Sequence, residues 1–431
     1  MLDNIFYTDS EASPSTYGNI GLAVADGKIT PGLIANAYGI LSSTGSNVKV
    51  GIISLGGGFQ QTDLQLTFDD LYVAGQISSN VAPTITTVLV DGATNNWTAN
   101  IASADTENTL DIYCIAPLVP QANVVIYIAP NTTSSFANAI QRAVTENCDV
   151  ISISWGGTES ALKAAIMEPV FATAASNGIT VCAASGDTGS MNLSGYVGPN
   201  YPASSANVVA VGGTTLILNN DGTIASESQA RPSGGGISAI IPRPSWQNGL
   251  TYKTATYFSG NSQTVIGPAT SLTMRGVPDV SAPYYYYAMR FNGQVATVNG
   301  TSAACPVIAG MIARYISLNG GKRPPAGNTT LSTNPIFYSN TSAYYDYSSG
   351  DDLSNLTTGY AVTSGWDPVV GLGRPYGNKI YQQFTSAGTT VKTATNTWSY
   401  LANVKVKTAT NTWSNVKAIW TKTISGWSQS F

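Results

Sequence analysis

What most narrows the folds open to this chain is a run of alternating segments between residues 48 and 213. Apolar stretches of strand length stand at VKVGIISL (48–55), TITTVLV (84–90), ANVVIYIA (122–129), DVISISW (149–155), ITVCAAS (179–185) and NVVAVGG (207–213). Between them lie segments with helical character: TDLQLTFDDLYVAGQ (62–76), a stretch near 105–117, SFANAIQRAVTE (135–146) and ESALKAAIMEPVFATAASNG (159–178). The last ends on Gly178, a residue suited to a helix C-terminus. Strands that are apolar along their whole length are buried on both faces. Their alternation with helices implies an α/β fold, a mostly parallel central sheet covered by helices on both sides. Such sheets bind ligands beyond the carboxyl ends of their strands.

Residues 214–300 are richer in Gly, Pro and Tyr and read as loops and short strands, followed by a helix at about 302–318 and a loop-rich stretch from 321 to 376. The character changes after about residue 385: KTATNTWS occurs at 392–399 and again at 407–414, followed by NVKAIWTKTISGWSQSF. Three units result: an N-terminal segment 1–27, a main domain 28–385, and a Trp-containing tail 386–431 read as a small β-hairpin appendage. Trp398, Trp413 and Trp420 are costly to expose without a partner, so a binding or assembly role stands level with a flexible tail.

The chemistry is constrained by an absence: the 431 residues include no histidine. That excludes the Ser-His-Asp triad and His-ligated zinc, and leaves carboxylates, Lys, Tyr or Cys for acid–base work. Charged residues make up only 10% of the chain and the net charge is −4, so no basic field exists to hold nucleic acid or an anionic lipid surface. Few carboxylates also limit unfolding by acid. Cys114, Cys148, Cys182 and Cys305 each lie in an apolar run and are expected as buried thiols; Cys305 has no His or cation beside it to make it a nucleophile. MLDNIFYTDSEASPS lacks the basic and apolar regions of a signal peptide. No apolar stretch reaches the ~20 residues of a membrane helix.

Three short motifs remain. NGTSAACPVIAG puts Ser302 at a loop-to-helix junction, where the helix N-terminus favours developing negative charge, with Pro306 expected in the first helical turn. Taken alone, Ser302 reads equally well as a helix-capping serine. In SADTENTLDIYCIAP, Glu107 and Asp111 are four apart and share one helix face, so partial burial would raise the pKa of one of them. An isolated pair at that spacing is otherwise a solvated acidic face. ASGDTGS places Asp187 directly after a strand, where the simple reading is an Asp in a Gly-rich turn.

Together, in this order and without histidine, these motifs resemble the sedolisins, serine-carboxyl peptidases on a subtilisin-related fold; the subtilisins share GTS-x-x-x-P but require a catalytic His. The resemblance covers roughly residues 28–380 and extends to ISISWGGTE (151–159), VVAVGGTT (208–215), GGGIS (234–238) and RGVPDVSA (275–282). It implies that Ser302 is the nucleophile, Glu107 its general base, Asp111 the residue orienting Glu107, and Asp187 a protonated carboxyl in the oxyanion hole. It implies that Ser154, Trp155 and Gly156 line the substrate through backbone hydrogen bonds. YYDYSSGDD…GYAVTSGWDPVVGLGRP resembles the family's calcium loop; one structural Ca²⁺ would be held by the Asp346 and Asp367 carboxylates and the Tyr347, Thr363 and Gly365 carbonyls. The activity implied is acid endopeptidase cleavage of polypeptides, outside the cell or on a virion.

The chain departs from the family at four places, one being Thr363, where a Gly is often found in the calcium loop. Ser54 stands where many members carry an acid behind the catalytic Asp, so the relay is expected to stop at Asp111. Residues 1–27 stand where a long prodomain is usual, which points to a mature fragment or different control. The Trp repeats resemble the ends of some bacteriophage structural proteins. Two other readings compete: a non-catalytic scaffold that binds a surface through the tail, which gains if Glu107 and Asp187 lie far from Ser302, and a Ser/Lys hydrolase, which needs a Lys in the site.

Overall fold

The computed structural model describes residues 11–14 and 18–386, apart from 193, 261, 322, 324–332 and 354–356, and in the tail the main-chain course of 390–394, 397–400, 405–409, 412–415, 420–423 and 426–429. Residues 1–10 of the N-terminal segment and the side chains of Trp398, Trp413 and Trp420 lie outside the described part.

The six expected strands and two more form one eight-stranded sheet: β1 (Lys49–Ser54), β2 (Thr86–Leu89), β3 (Asn123–Ile128), β4 (Val150–Ile153), β5 (Thr180–Ala184), β6 (Val209–Leu218), β7 (Ile224–Gln229) and β8 (Val280–Pro283). The spatial order is β7-β6-β5-β4-β1-β3-β2, with β8 also paired to β6. Every pairing is parallel except β6 with β7. Five helices frame the sheet: α1 (Gln61–Val73), α2 (Ala104–Ile115), α3 (Thr133–Thr145), α4 (Ala161–Ser176) and α5 (Thr301–Leu318). The fold class read from the alternation is the one observed.

Period-two alternation divides the core between the two faces. On β3, Val124, Ile126 and Ile128 belong to the cluster with α2 and α5, while Val125 and Tyr127 belong to the cluster with α3 and α4. Burial on both sides explains why these strands are apolar throughout. The chain leaves β1 for β2, returns to β3, then crosses to β4 on the other side of β1. That reversal opens a crevice at the strands' carboxyl ends, between Ser54 and Ser154.

Three features differ from expectation. By length and composition α5 can cross a membrane, although no apolar stretch was expected to; 83% of it is buried against β4, β5, β6 and β8 as a core helix. Pro306 is the sixth residue of α5, in its second turn and not its first. Glu11–Pro14 pairs with Gln294–Asn299, so this part of the N-terminal segment belongs to a sheet of the main domain. The tail shows three hairpins instead of two repeats, with Lys392, Lys407 and Lys422 opposite Trp398, Trp413 and Trp427.

Candidate active site

The site begins with α2, a helix buried on all sides although it is rich in polar residues. Burying polar side chains is tolerable only when they are hydrogen-bonded. Asp105 accepts from Gly58 N (2.8 Å), Thr98 N (2.8 Å) and Thr98 Oγ1 (2.6 Å), which pins two loops to the start of the helix. Thr106 donates to Ile101 O and Thr109 to Asp105 O, both at 2.7 Å. Asn108 donates to the Gly56 and Gly58 carbonyls (3.1 and 3.2 Å) and accepts from Ser54 Oγ. The polar face thus holds the helix in place from its first turn, and Glu107 and Asp111, both fully buried, stand on a helix that packs against α5. The solvated-face reading of this pair is excluded.

Burial, followed by the adjacent Glu107 charge, pushes the Asp111 carboxyl well above the usual range, while a hydrogen bond from Ser154 opposes the shift. That bond, Ser154 Oγ to Asp111 Oδ1, is 2.5 Å long. Ser154 follows β4 directly; its hydroxyl also lies 3.2 Å from the Ser302 carbonyl, and its own carbonyl accepts from Ser302 Oγ at 3.5 Å. Through Ser154, Asp111 is thus linked back to the main chain of Ser302. Ser54 takes no part, being turned toward Asn108 and Gly56.

Ser302 is the second residue of α5 and does not cap it; the cap position is Gly300, whose φ of 148° suits glycine alone. Thr301, between them, ties α5 to the loop after β5. Its N–H donates to Asp187 Oδ1 (2.8 Å), and its Oγ1 accepts from Gly186 N (3.0 Å). Gly186 has φ 108°, and a Cβ there would lie 2.4 Å from Asn200 Nδ2, so the glycine before Asp187 is dictated by backbone and space. Asp187 thus sits at the N-terminus of α5, beside Ser302 and only partly buried. The three motifs, up to 195 residues apart in the chain, meet at one end of the sheet.

Trp155 and Gly156 follow Ser154 and lead into a short strand, Gly157–Thr158, which pairs with Asn200–Tyr201. The four cysteines are buried and free, and burial pushes the Cys305 thiol up to about 12, which removes it as a nucleophile. Lys163, buried on α4, donates to Thr158 O at 3.2 Å, and nothing described brings it to Ser302.

At the calcium-type loop, no group of three or more His, Cys, Asp or Glu converges among the described residues, so a cation would be held by two carboxylates and main-chain oxygens. Asp346 Oδ2 accepts from Ser364 Oγ (2.9 Å) and Gly365 N (2.8 Å); Asp367 accepts from Thr363, Val369 and Val370 N–H groups at 2.9–3.0 Å. Burial, with Asp346 nearby, raises Asp367 to about 7. The Tyr347, Thr363 and Gly365 carbonyls accept no backbone hydrogen bond among the described residues. An acid too buried to ionise comfortably, near a second acid and uncommitted carbonyls, fits a hard dication.

Residues 45–336 match the Subtilase family. Kumamolisin of Bacillus sp. (strain MN-32) is 36% identical over 372 residues, which covers 82% of this chain and 63% of that protein. The tripeptidyl-peptidase sed1 of Aspergillus fumigatus is 27% identical over 425 residues, covering 82% of this chain and 64% of its own length. The chain therefore spans somewhat less than two thirds of these curated relatives. The solved structure of Pseudomonas sedolisin, a serine-carboxyl proteinase complexed with two molecules of pseudo-iodotyrostatin, superposes with a TM-score of 0.67 at 25% identity, over 84% of this chain and 99% of that one.

Proposed function

Since the chain belongs to the subtilase family, within its sedolisin branch, we propose that it is an acid-acting serine-carboxyl endopeptidase. What supports this reading is that Asp187 accepts from the Thr301 N–H next to Ser302, and that the buried Asp111 is joined to the Ser302 carbonyl through Ser154, in a chain without histidine. In this mechanism Ser302 Oγ attacks the peptide carbonyl and gives its proton to Glu107, which Asp111 orients. The tetrahedral oxyanion forms at the N-terminus of α5, where a neutral Asp187 carboxyl donates a hydrogen bond and an ionised one would repel. Glu107 then passes the proton to the leaving amine, and later activates the water that frees the acyl-enzyme. Extended substrate lies along Ser154–Gly156 and takes hydrogen bonds from that main chain.

The test is hydrolysis of an unfolded polypeptide across pH. Activity is expected in acid, with internal cuts instead of a ladder of released tripeptides. Asp187→Ala is expected to lower kcat by about 10²–10³-fold with little change in KM. A variant as active as wild type, or a wild type fastest in alkali, overturns the mechanism.

Asp346, Asp367 and the Tyr347, Thr363 and Gly365 carbonyls are assigned to one Ca²⁺, which would hold the two loop segments together and keep Asp367 ionised. Chelation is expected to lower the melting temperature by on the order of 10 °C. Ca²⁺ should restore it and Mg²⁺ should not. A melting temperature indifferent to chelator removes the ion from the structure.

A further inference from the structure

Pro306 creates an imbalance inside α5. It has no N–H, so the Ser302 carbonyl four residues earlier loses its helical donor. The group that approaches this carbonyl is Ser154 Oγ, at 3.2 Å, and the same Oγ is 2.5 Å from Asp111 Oδ1. A serine hydroxyl carries one proton and can accept another. It donates fully to only one of these two oxygens at a time. Ser154 and Ser302 are 3% and 2% exposed and Asp111 is fully buried, so bulk water is not at hand to serve the other.

The second Asp111 oxygen, Oδ2, receives no N–H or O–H donor among the described residues. The carboxyl that acts on Asp111 is Glu107, one turn back on α2. The other titratable groups in this neighbourhood are the thiols of Cys114 on α2 and Cys305 on α5, which burial keeps neutral; Cys182 on β5 acts on Cys305 in turn. No Lys or Arg contributes to the Asp111 shift.

We propose that Ser154 is a positioning residue that couples the proton count of the Glu107–Asp111 pair to the backbone of the nucleophile. Its hydroxyl proton serves Asp111 Oδ1 while the pair holds a negative charge. Once the pair is fully protonated, Asp111 donates to Ser154 Oγ, and Ser154 turns its own proton to the Ser302 carbonyl, to which Pro306 supplies no N–H. No proton is gained or lost at Ser154, so it relays the state of the pair without titrating. The inference rests on the reading of Ser302 as nucleophile and Glu107 as base, and adds a residue to that machinery.

Two substitutions should move the acid limb of kcat/KM in opposite directions. Ser154→Ala removes a donor that stabilises the charged pair, and is expected to move the limb upward by about one pH unit. Ser154→Cys keeps the side-chain volume, donates weakly and should move it the same way by less. Pro306→Ala gives the Ser302 carbonyl an N–H of its own and leaves Ser154 to Asp111, so the limb should move downward by a few tenths of a unit. Limbs that stay in place, or that move together, overturn the coupling. A readout independent of catalysis is the protonated-carboxyl band in difference infrared spectra, assigned by its loss in Asp111→Asn. Its titration midpoint should rise in Ser154→Ala, and an unmoved midpoint also overturns the proposal. If wild type shows no acid peptidase activity, the functional reading fails while the infrared titration still decides the role of Ser154.

Discussion

Replacing Ser302 with alanine is expected to lower kcat for peptide hydrolysis at acid pH by at least about 10⁴-fold. Glu107→Gln should fall to nearly the same floor, because an alcohol without its base in a dry site is a poor nucleophile. The double variant should fall no further. Residues that act as one unit are not additive: once either is gone, the other has nothing left to do. What remains is whatever rate binding and the oxyanion site supply by themselves. The measurement is kcat for the two single variants and the double variant, with melting curves confirming that each is folded. Multiplicative losses would mean that the two residues act in separate steps. A Ser302→Ala enzyme with wild-type turnover would remove Ser302 from the chemistry altogether. The scaffold reading predicts that outcome, and the short contacts around α5 speak against it.

The second large effect concerns stability. Asp352 is fully buried, and its Oδ1 accepts from Tyr360 N at 2.7 Å. Burial raises this carboxyl to about 8. In the unfolded chain it would titrate near an ordinary Asp, about 3.9. Between those values the folded protein binds one proton more than the unfolded, so stability is full in acid and declines as pH rises toward 8. The loss for this group is about 6 kcal/mol once the window is crossed. Melting temperature should therefore be highest on the acid side and drop through neutrality. Asp352→Asn, which cannot ionise, should flatten much of the drop. A melting temperature that rises from pH 5 to pH 8 contradicts this account. The protein would then be most stable in the range where a neutral Asp187 is needed, two consequences of the same preference for uncharged acids.

The sheet could be read from the sequence because its signal is local: six apolar runs with helices between them are enough to set the layers, and each run became a strand. The site was legible in a different way. Gly300 and Gly186 report backbone shapes that few other residues adopt, so GTS and SGD carry structural information residue by residue. The burial of Glu107 and Asp111 could not be read there, because it depends on Asp105, Asn108 and the loops they hold. The side chain of Ser154 went unnoticed for the same reason. Its segment was expected to act through the backbone, and only the approach of α2 to α5 brings its hydroxyl between Asp111 and Ser302. Pro306 was expected one turn early, since a helix start can be guessed only to within a few residues. The third hairpin of the tail escaped because KTISGWSQ differs from KTATNTWS at several positions and only strand pairing shows the kinship.

The helix that carries Ser302 lies against β4, β5, β6 and β8, all made from earlier parts of the chain. A growing polypeptide therefore has its scaffold before it has its blade. Until α5 emerges, the face of those strands that it covers is an open oily surface, and the acids that precede it have no Ser302 to act upon. On the reading of Ser302 as nucleophile, the order of synthesis leaves an unfinished molecule without its cutting group.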